Sequence, residues 1–339
     1  MNLLIQKLNE VNIDCRIATL LFETFDVLLG HDKLGTLVIQ SSTLFVDALN
    51  MKLLDTEWDV RDAAQSCDMK IMFALNNNLP LLVFEHINDT EPYVRASALN
   101  VLKDMMKNKA GWNFIQKNQL AQSIAKNLPR LLRDDEAIVR RATLDAVICL
   151  VTNRSCQGMA MEGQGSESQD ALNPAIVEAL MCDADSDVVI RTCRLLESLW
   201  QLHLHEREQR KRSKSQTPSE QHEEQSFFYV AEGDKWIIEA TNNIERLVRS
   251  EVLRIMEGIL EQYPHDVQIK SGKRFLEDEI DQDTKFLEAL STIDLQKLKQ
   301  TVNPEHLYQE AFDINPRMMT QSIEPNDPEK DDVNMLDCY

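Results

Sequence analysis

Along much of this chain apolar residues return at spacings of three and four. From Val94 they run through Ala98, Val101, Leu102 and Met105, and from Val139 through Ala142, Ala146, Val147 and Leu150. That i, i+3/4, i+7, i+8, i+11 stripe is one face of an α-helix laid against a core. The period fails in three places. Residues 155–170 form a Gly/Ser/Gln loop insertion, residues 203–226 a charged linker too poor in apolar side chains to pack, and 315–339 a tail with three prolines (316, 325, 328). Helices are therefore expected over 1–202 and again over 227–314, with the linker and the tail disordered.

One phrase recurs within the periodic part: an acidic turn, an apolar residue, an arginine, then a helix rich in small residues. It reads "LLDTEWDVRDAAQSC" around Arg61, "HINDTEPYVRASALNVL" around Arg95 and "LLRDDEAIVRRATLDAVICL" around Arg140. A looser copy, "MCDADSDVVIRTCRLLESLW", surrounds Arg191, another is placed at Arg16, and Arg249 takes the same position beyond the linker. Asp or Asn is expected to cap the second helix of each pair, with acids in its first turn suiting the helix dipole. Repeated helix pairs at this spacing mark a solenoid. Through the Asp…Val-Arg…Ala phrase, residues 1–200 resemble HEAT repeats, which implies an all-α, HEAT/armadillo-like α-solenoid. The first helix starts apolar with no polar cap, the pattern expected where further repeats precede it.

Composition narrows the function. The formal charge of −20 disfavours a nucleic-acid-binding body and favours a partner with a basic surface. No uncharged apolar run is long enough to span a membrane, and "MNLLIQKLNE" has none of the parts of a signal peptide. Six of the seven cysteines (15, 67, 149, 156, 182, 193) read as reduced, buried small residues of an intracellular protein. No phosphate loop, nucleophile elbow or metalloprotease motif occurs, so the chain is not expected to be an enzyme. His203 and His205, with His222 beyond, read as a solvated helix end rather than a metal cluster. Arg210, Lys211, Arg212 and Lys214 are a candidate nuclear import signal; the other reading of the run is a solvated linker.

The chemistry that stands out is at the C-terminus. Glu324, Asp327, Glu329, Asp331, Asp332 and Asp337 face a single base, Lys330, and the chain ends Met335-Leu336-Asp337-Cys338-Tyr339. A polyanion tipped with apolar residues, a thiol and a carboxylate has the makings of a plug. Its acids suit a basic groove, the Cys338 thiolate is a strong zinc ligand, and the Tyr339 carboxylate offers a second oxygen donor.

The terminal Leu336-Asp337-Cys338-Tyr339, on a HEAT-like body with an acidic tail, is similar to the C-terminal part of the BRAT family, HEAT-repeat ATM-activator proteins associated with the Integrator RNA endonuclease. That resemblance implies a partner of the metallo-β-lactamase type whose catalytic zinc Cys338 binds in trans, with Asp337 and Tyr339 seating the tip. It further implies a chaperone-like inhibitor or assembly factor for small nuclear RNA processing, with no cofactor of its own, in cytoplasm and nucleus. Two other readings stand beside it: a general scaffold for DNA-damage kinase signalling, and a karyopherin-like transport adaptor.

Overall fold

Asn108 shows how this sequence turns one helix into the next. Its backbone N–H closes the helix Pro92–Lys107, while its side-chain oxygen accepts from Ala110 N at 2.9 Å and starts the helix Lys109–Lys117. One residue serves as both caps, so no loop is needed. Pro92 opens its helix at a position where a missing N–H costs nothing. Two residues into the following helix, a Cβ on Gly111 would fall on the Met105 carbonyl and 2.7 Å from Met105 Cα. Only glycine lets these two helices cross so closely.

The computed structural model describes residues 2–10, 12–40, 42–66, 79–153, 173–213, 226–262 and 282–303. Among them every regular element is helical. In chain order these are α1 (Asn2–Leu8), α2 (Cys15–Leu29), α3 (Asp32–Gln40), α4 (Ser42–Leu53), α5 (Trp58–Gln65) and α6 (Leu79–Glu85). There follow α7 (Pro92–Lys107), α8 (Lys109–Lys117), α9 (Leu120–Leu131), α10 (Ala137–Thr152), α11 (Pro174–Met181) and α12 (Ser186–Ser213). The last are α13 (Phe227–Val230), α14 (Gly233–Glu239), α15 (Arg246–Gln262), α16 (Gln282–Ser291) and α17 (Leu295–Val302).

Helices α2, α5, α7, α10, α12 and α15 stack one on the next, and α1, α4, α6, α9 and α11 each pack on the stacked helix that follows them. This is the expected all-α solenoid. It departs from plain helix pairs at α3 and α8, short third helices between the members of two repeats. The two stripes read from the sequence are the buried faces of α7 and α10, with Val101 partly covered. The core is divided along these same helices. Ala98, Leu99, Val139 and Ala142 join the N-terminal cluster, whereas Leu102, Met105, Val147 and Leu150 join the C-terminal one.

Two expectations need correction. The disordered linker does not begin at 203, because α12 continues to Ser213. Leu202 is buried, and His203 and Arg207, one turn apart, both reach Asp283 at the start of α16. A buried carboxylate thus holds a stretch whose composition alone would leave it in water. Cys182 is exposed rather than buried, and Cys15 is half-covered; Cys149 and Cys193 fit the expectation, and Cys67 and Cys156 lie outside the described residues. The 155–170 insertion, the rest of the linker from 214 to 225 and the 315–339 tail also lie outside them.

Gly111→Ala is expected to lower the unfolding free energy by about 1–3 kcal/mol, because the new methyl meets backbone and not a movable side chain. Chemical denaturation of the two proteins measures this.

Candidate functional site

The repeated phrase builds one geometry three times. Arg61 donates to Asp89 through Nε and Nη2 at 2.9 and 2.7 Å, Arg95 to Asp134 at 3.0 and 2.7 Å, and Arg140 to Asp183 at 2.7 and 2.9 Å. Each pair is bidentate and joins one repeat to the next. The remaining nitrogen, Nη1, returns to two carbonyls of its own turn. Arg95 Nη1 lies 2.9 Å from both Asp89 O and Thr90 O, and Arg61 and Arg140 repeat this with Asp55, Thr56, Asp134 and Asp135.

The expected aspartate caps are found before α2, where Asp14 accepts from Arg16 N at 3.0 Å, and before α12, where Asp185 accepts from Val188 N at 3.0 Å, but not at the three ladder helices. The residues before α5, α7 and α10 are Glu57, Glu91 and Glu136, which make no side-chain cap. The aspartate stands two positions earlier and accepts from that glutamate's N–H: Asp89 from Glu91 at 2.9 Å, and Asp134 from Glu136 at 3.1 Å. It closes a tight Asx turn with one oxygen and shares the arginine with both.

Structural register also moves two arginines out of the series. The ladder arginine is the fourth residue of its helix in α5, α7, α10 and α15. In α12 that place is Val189, and in α2 it is Ala18. Arg191 therefore turns back to Asp145 at 3.0 Å, and Arg16 is off the ladder. The partner positions have changed in step. Opposite Val189 the turn carries Asn243, a neutral residue that keeps the Asx bond to Glu245 N at 2.8 Å. Downstream of Ala18, Asp55 takes Lys52 Nζ at 2.9 Å instead. Arg249 resumes the pattern on Asn243 O and Ile244 O, and reaches Thr301 O at the end of α17 at 2.9 Å.

The outer side of the stacked helices carries a second network. Asp145 meets Arg191, and Asp187 meets Arg141 at 3.2 Å; Glu251 meets Arg194 at 2.9 Å and Arg254 at 2.8 Å, and Arg254 also meets Glu197. Burial alone would raise the carboxyls of Asp89, Glu251 and Asp283, but the hydrogen bonds they accept outweigh it and hold all three below the usual carboxylate range. Asp283 accepts from His203 Nε2 at 2.9 Å and Tyr229 Oη at 2.6 Å as well as from Arg207. Around it Trp200, Phe228 and Phe286 pack with ring centroids 5.1–5.3 Å apart. Burial pushes the Cys193 thiol up to about 12, which removes it as a nucleophile or ligand at neutral pH.

Among the described residues no group of three or more His, Cys, Asp or Glu is placed to hold a metal. His203 is bound to Asp283 and His205 to Gln209 at 2.8 Å, so the expected solvated histidines are partnered. Arg210 is exposed on α12, 3.8 Å from Glu206; Lys211 and Arg212 continue that helix, and Lys214 lies outside the described residues. Met335, Leu336, Asp337, Cys338 and Tyr339 lie outside them too. Sequence reading missed an exposed aromatic pair on adjacent turns, Trp58 and Tyr93, stacked at 5.3 Å with 23° between planes. Its signal was the aromatic residue two or three positions ahead of Arg61 and Arg95.

These seams define a helical-repeat α-solenoid of HEAT/armadillo type. No family model and no curated protein matches the chain. Among solved structures it is similar to a designed armadillo repeat protein in complex with the peptide (KR)4, at 13% identity and a TM-score of 0.50 over 75% of this chain and 97% of that one. A computationally designed armadillo repeat protein for modular peptide recognition aligns at 15% identity and a TM-score of 0.47, over 75% and 98% of the two chains. The first likeness is one of fold.

Arg95→Ala leaves the Asp134 side chain, 7% exposed, without its guanidinium, and is expected to cost about 3 kcal/mol or more. Arg95→Val with Asp134→Asn, the pairing already present at Val189 and Asn243, is expected to recover much of that loss in a double-mutant cycle of denaturation midpoints. Because the lowered carboxyls favour the folded state when ionised, their contribution is complete above the ordinary carboxylate range and vanishes as pH falls through the lowered values. Thermal melts are expected to shift downward below about pH 4 and to stay level from about pH 5 to 7.

Proposed function

We propose that this chain is a non-catalytic protein-binding solenoid that docks a zinc-dependent RNA endonuclease of the metallo-β-lactamase type and closes its active site with its own C-terminus. In this reading Cys338 supplies a thiolate to the partner's catalytic zinc, and Met335, Leu336, Asp337 and Tyr339 seat the tip, with the Tyr339 carboxylate as a second donor. The family is the one that the terminal Leu336-Asp337-Cys338-Tyr339 resembles, the BRAT proteins, and the partner is the Integrator endonuclease. The reading places the complex in cytoplasm and nucleus, with Arg210, Lys211, Arg212 and Lys214 as the import signal.

The observation that carries the proposal is a terminal thiol and carboxylate on an acidic segment, attached to a helical-repeat body. A repeat array offers an extended surface and no reaction centre. The guanidiniums of Arg61, Arg95 and Arg140 are bound to aspartates, so the phosphate-binding work of a nuclease falls to the partner. A tip tethered to a docked body acts at an effective concentration of ~mM and needs little affinity of its own.

A second reading has one observation in its favour. The Trp58–Tyr93 pair stands near Glu57, Asp59 and Glu91, a surface suited to basic peptides such as the (KR)4 held by the designed armadillo repeat protein. That surface fits the karyopherin-like adaptor.

With purified endonuclease, Cys338→Ala is expected to weaken the complex at least tenfold by calorimetry while leaving the melting curve unchanged. Deleting 335–339 is expected to restore RNA cleavage. Binding that ignores the tail but collapses in high salt and in Trp58→Ala would replace this reading with the adaptor.

A further inference from the structure

The charge of this chain is unevenly spread. From Met105 to Arg133 it has no Asp or Glu, its longest acid-free stretch, while Lys107, Lys109, Lys117, Lys126, Arg130 and Arg133 fall within it. That stretch builds the short third helix α8 and then α9, which packs on it after the turn Asn118-Gln119. Trp112, Ile115, Ile124 and Leu128 are buried, and neither helix exposes a large apolar side chain. What they turn to solvent is basic, or neutral and polar. On α8 the exposed residues Lys109, Asn113, Gln116 and Lys117 follow i, i+4, i+7, i+8, and on α9 exposed Gln122, Ser123 and Lys126 share one face. Three of the six cations are already occupied or bordered by acids. Lys107 lies 3.5 Å from Asp104, Arg130 donates to Asn88 Oδ1 at 2.6 Å, and Arg133 leads into exposed Asp135 and Glu136. Lys109, Lys117 and Lys126 make no ion pair with any described residue.

We propose that this face binds the sugar–phosphate backbone of single-stranded RNA, with Lys109, Lys117 and Lys126 on phosphates and the amides of Asn113, Gln116 and Gln122 donating to backbone oxygens. The make-up of the face favours a phosphodiester chain over an acidic protein segment. A protein–protein contact is centred on apolar or aromatic anchors, and α8 and α9 expose none. A phosphate backbone asks only for cations and hydrogen-bond donors, the two groups present here. The formal charge of −20 does not forbid the contact. At physiological salt a charge is screened beyond about 8 Å, so a bound phosphate meets the local acid-free surface and not the sum over the chain. With no exposed ring on these helices, bases have nothing to stack on, and the contact carries no sequence preference. The choice of RNA rests on the partner proposed above, whose reaction centre holds the scissile phosphate while α8 and α9 hold the strand beside it. The cationic face does not depend on that partner, so either can fail alone.

The probe is a fluorescein-labelled oligouridylate, titrated by anisotropy against the full chain with no endonuclease present. It is paired with a labelled polyglutamate of equal charge. Oligouridylate is expected to bind at least fivefold more tightly than polyglutamate. Three phosphate contacts predict that log K falls with log salt at a slope of about −2. Lys117→Gln with Lys126→Gln is expected to weaken binding at least tenfold and to flatten that slope to about −0.7. The melting curve is expected to stay unchanged, since both side chains are exposed and unpaired. Arg210→Gln with Lys211→Gln, in the other basic run, is expected to leave affinity within twofold. Absence of oligouridylate binding at about 50 mM salt overturns the proposal, as does full affinity in the Lys117/Lys126 variant. Loss of binding in the Arg210/Lys211 variant overturns it by moving the contact to α12. Equal binding of polyglutamate overturns it by making an acidic protein segment the occupant. Binding seen only after removal of 304–339 does so by making the chain's own acidic C-terminal segment the occupant.

Discussion

A carboxylate as deeply placed as that of Asp134 is tolerable only because Arg95 meets it with two parallel hydrogen bonds and Glu136 N–H donates a third. The same guanidinium gathers two carbonyls of its own turn, so a single side chain fixes both the shape of one turn and its distance from the next. Stability in a stacked array is a sum of units and seams. Here the seam is specified by charge and directional hydrogen bonds, while burial along α7 and α10 supplies the bulk of the favourable energy. Hydrophobic faces alone would allow neighbouring helices to slide; the bidentate pairs admit one register.

That register was legible where the arginine and its helix start coincide, at Arg61, Arg95, Arg140 and Arg249. It was misread at Arg191 and Arg16 because residue identity was followed rather than position in the helix. The buried valine one place before the ladder position is the steadier marker: Val60, Val94, Val139, Val188 and Val248 hold it in every stacked helix after the first. The paired change to Val189 and Asn243 was invisible in one dimension, since 54 positions separate its halves. The tie between His203 and Asp283 was hidden for the same reason, and composition consequently placed the end of α12 in solvent.

The parts of the molecule that bear on function differ in how they declare themselves. The Cys338 tip is chemistry written in consecutive residues, readable without any fold. The Trp58–Tyr93 pair becomes visible only once repeats are superimposed on one another, because each ring alone is an ordinary residue of a helix start.

The seam between α12 and α15 lacks the ladder pair and is tied instead by Arg194–Glu251 and Arg254–Glu197, whose arginines are half-exposed. Mobile ions reach such pairs easily and reach the sunken ladder poorly. Electrolyte therefore acts unevenly along the stack, screening the ion pairs of this joint more than the three ladder pairs that join α5, α7, α10 and α12.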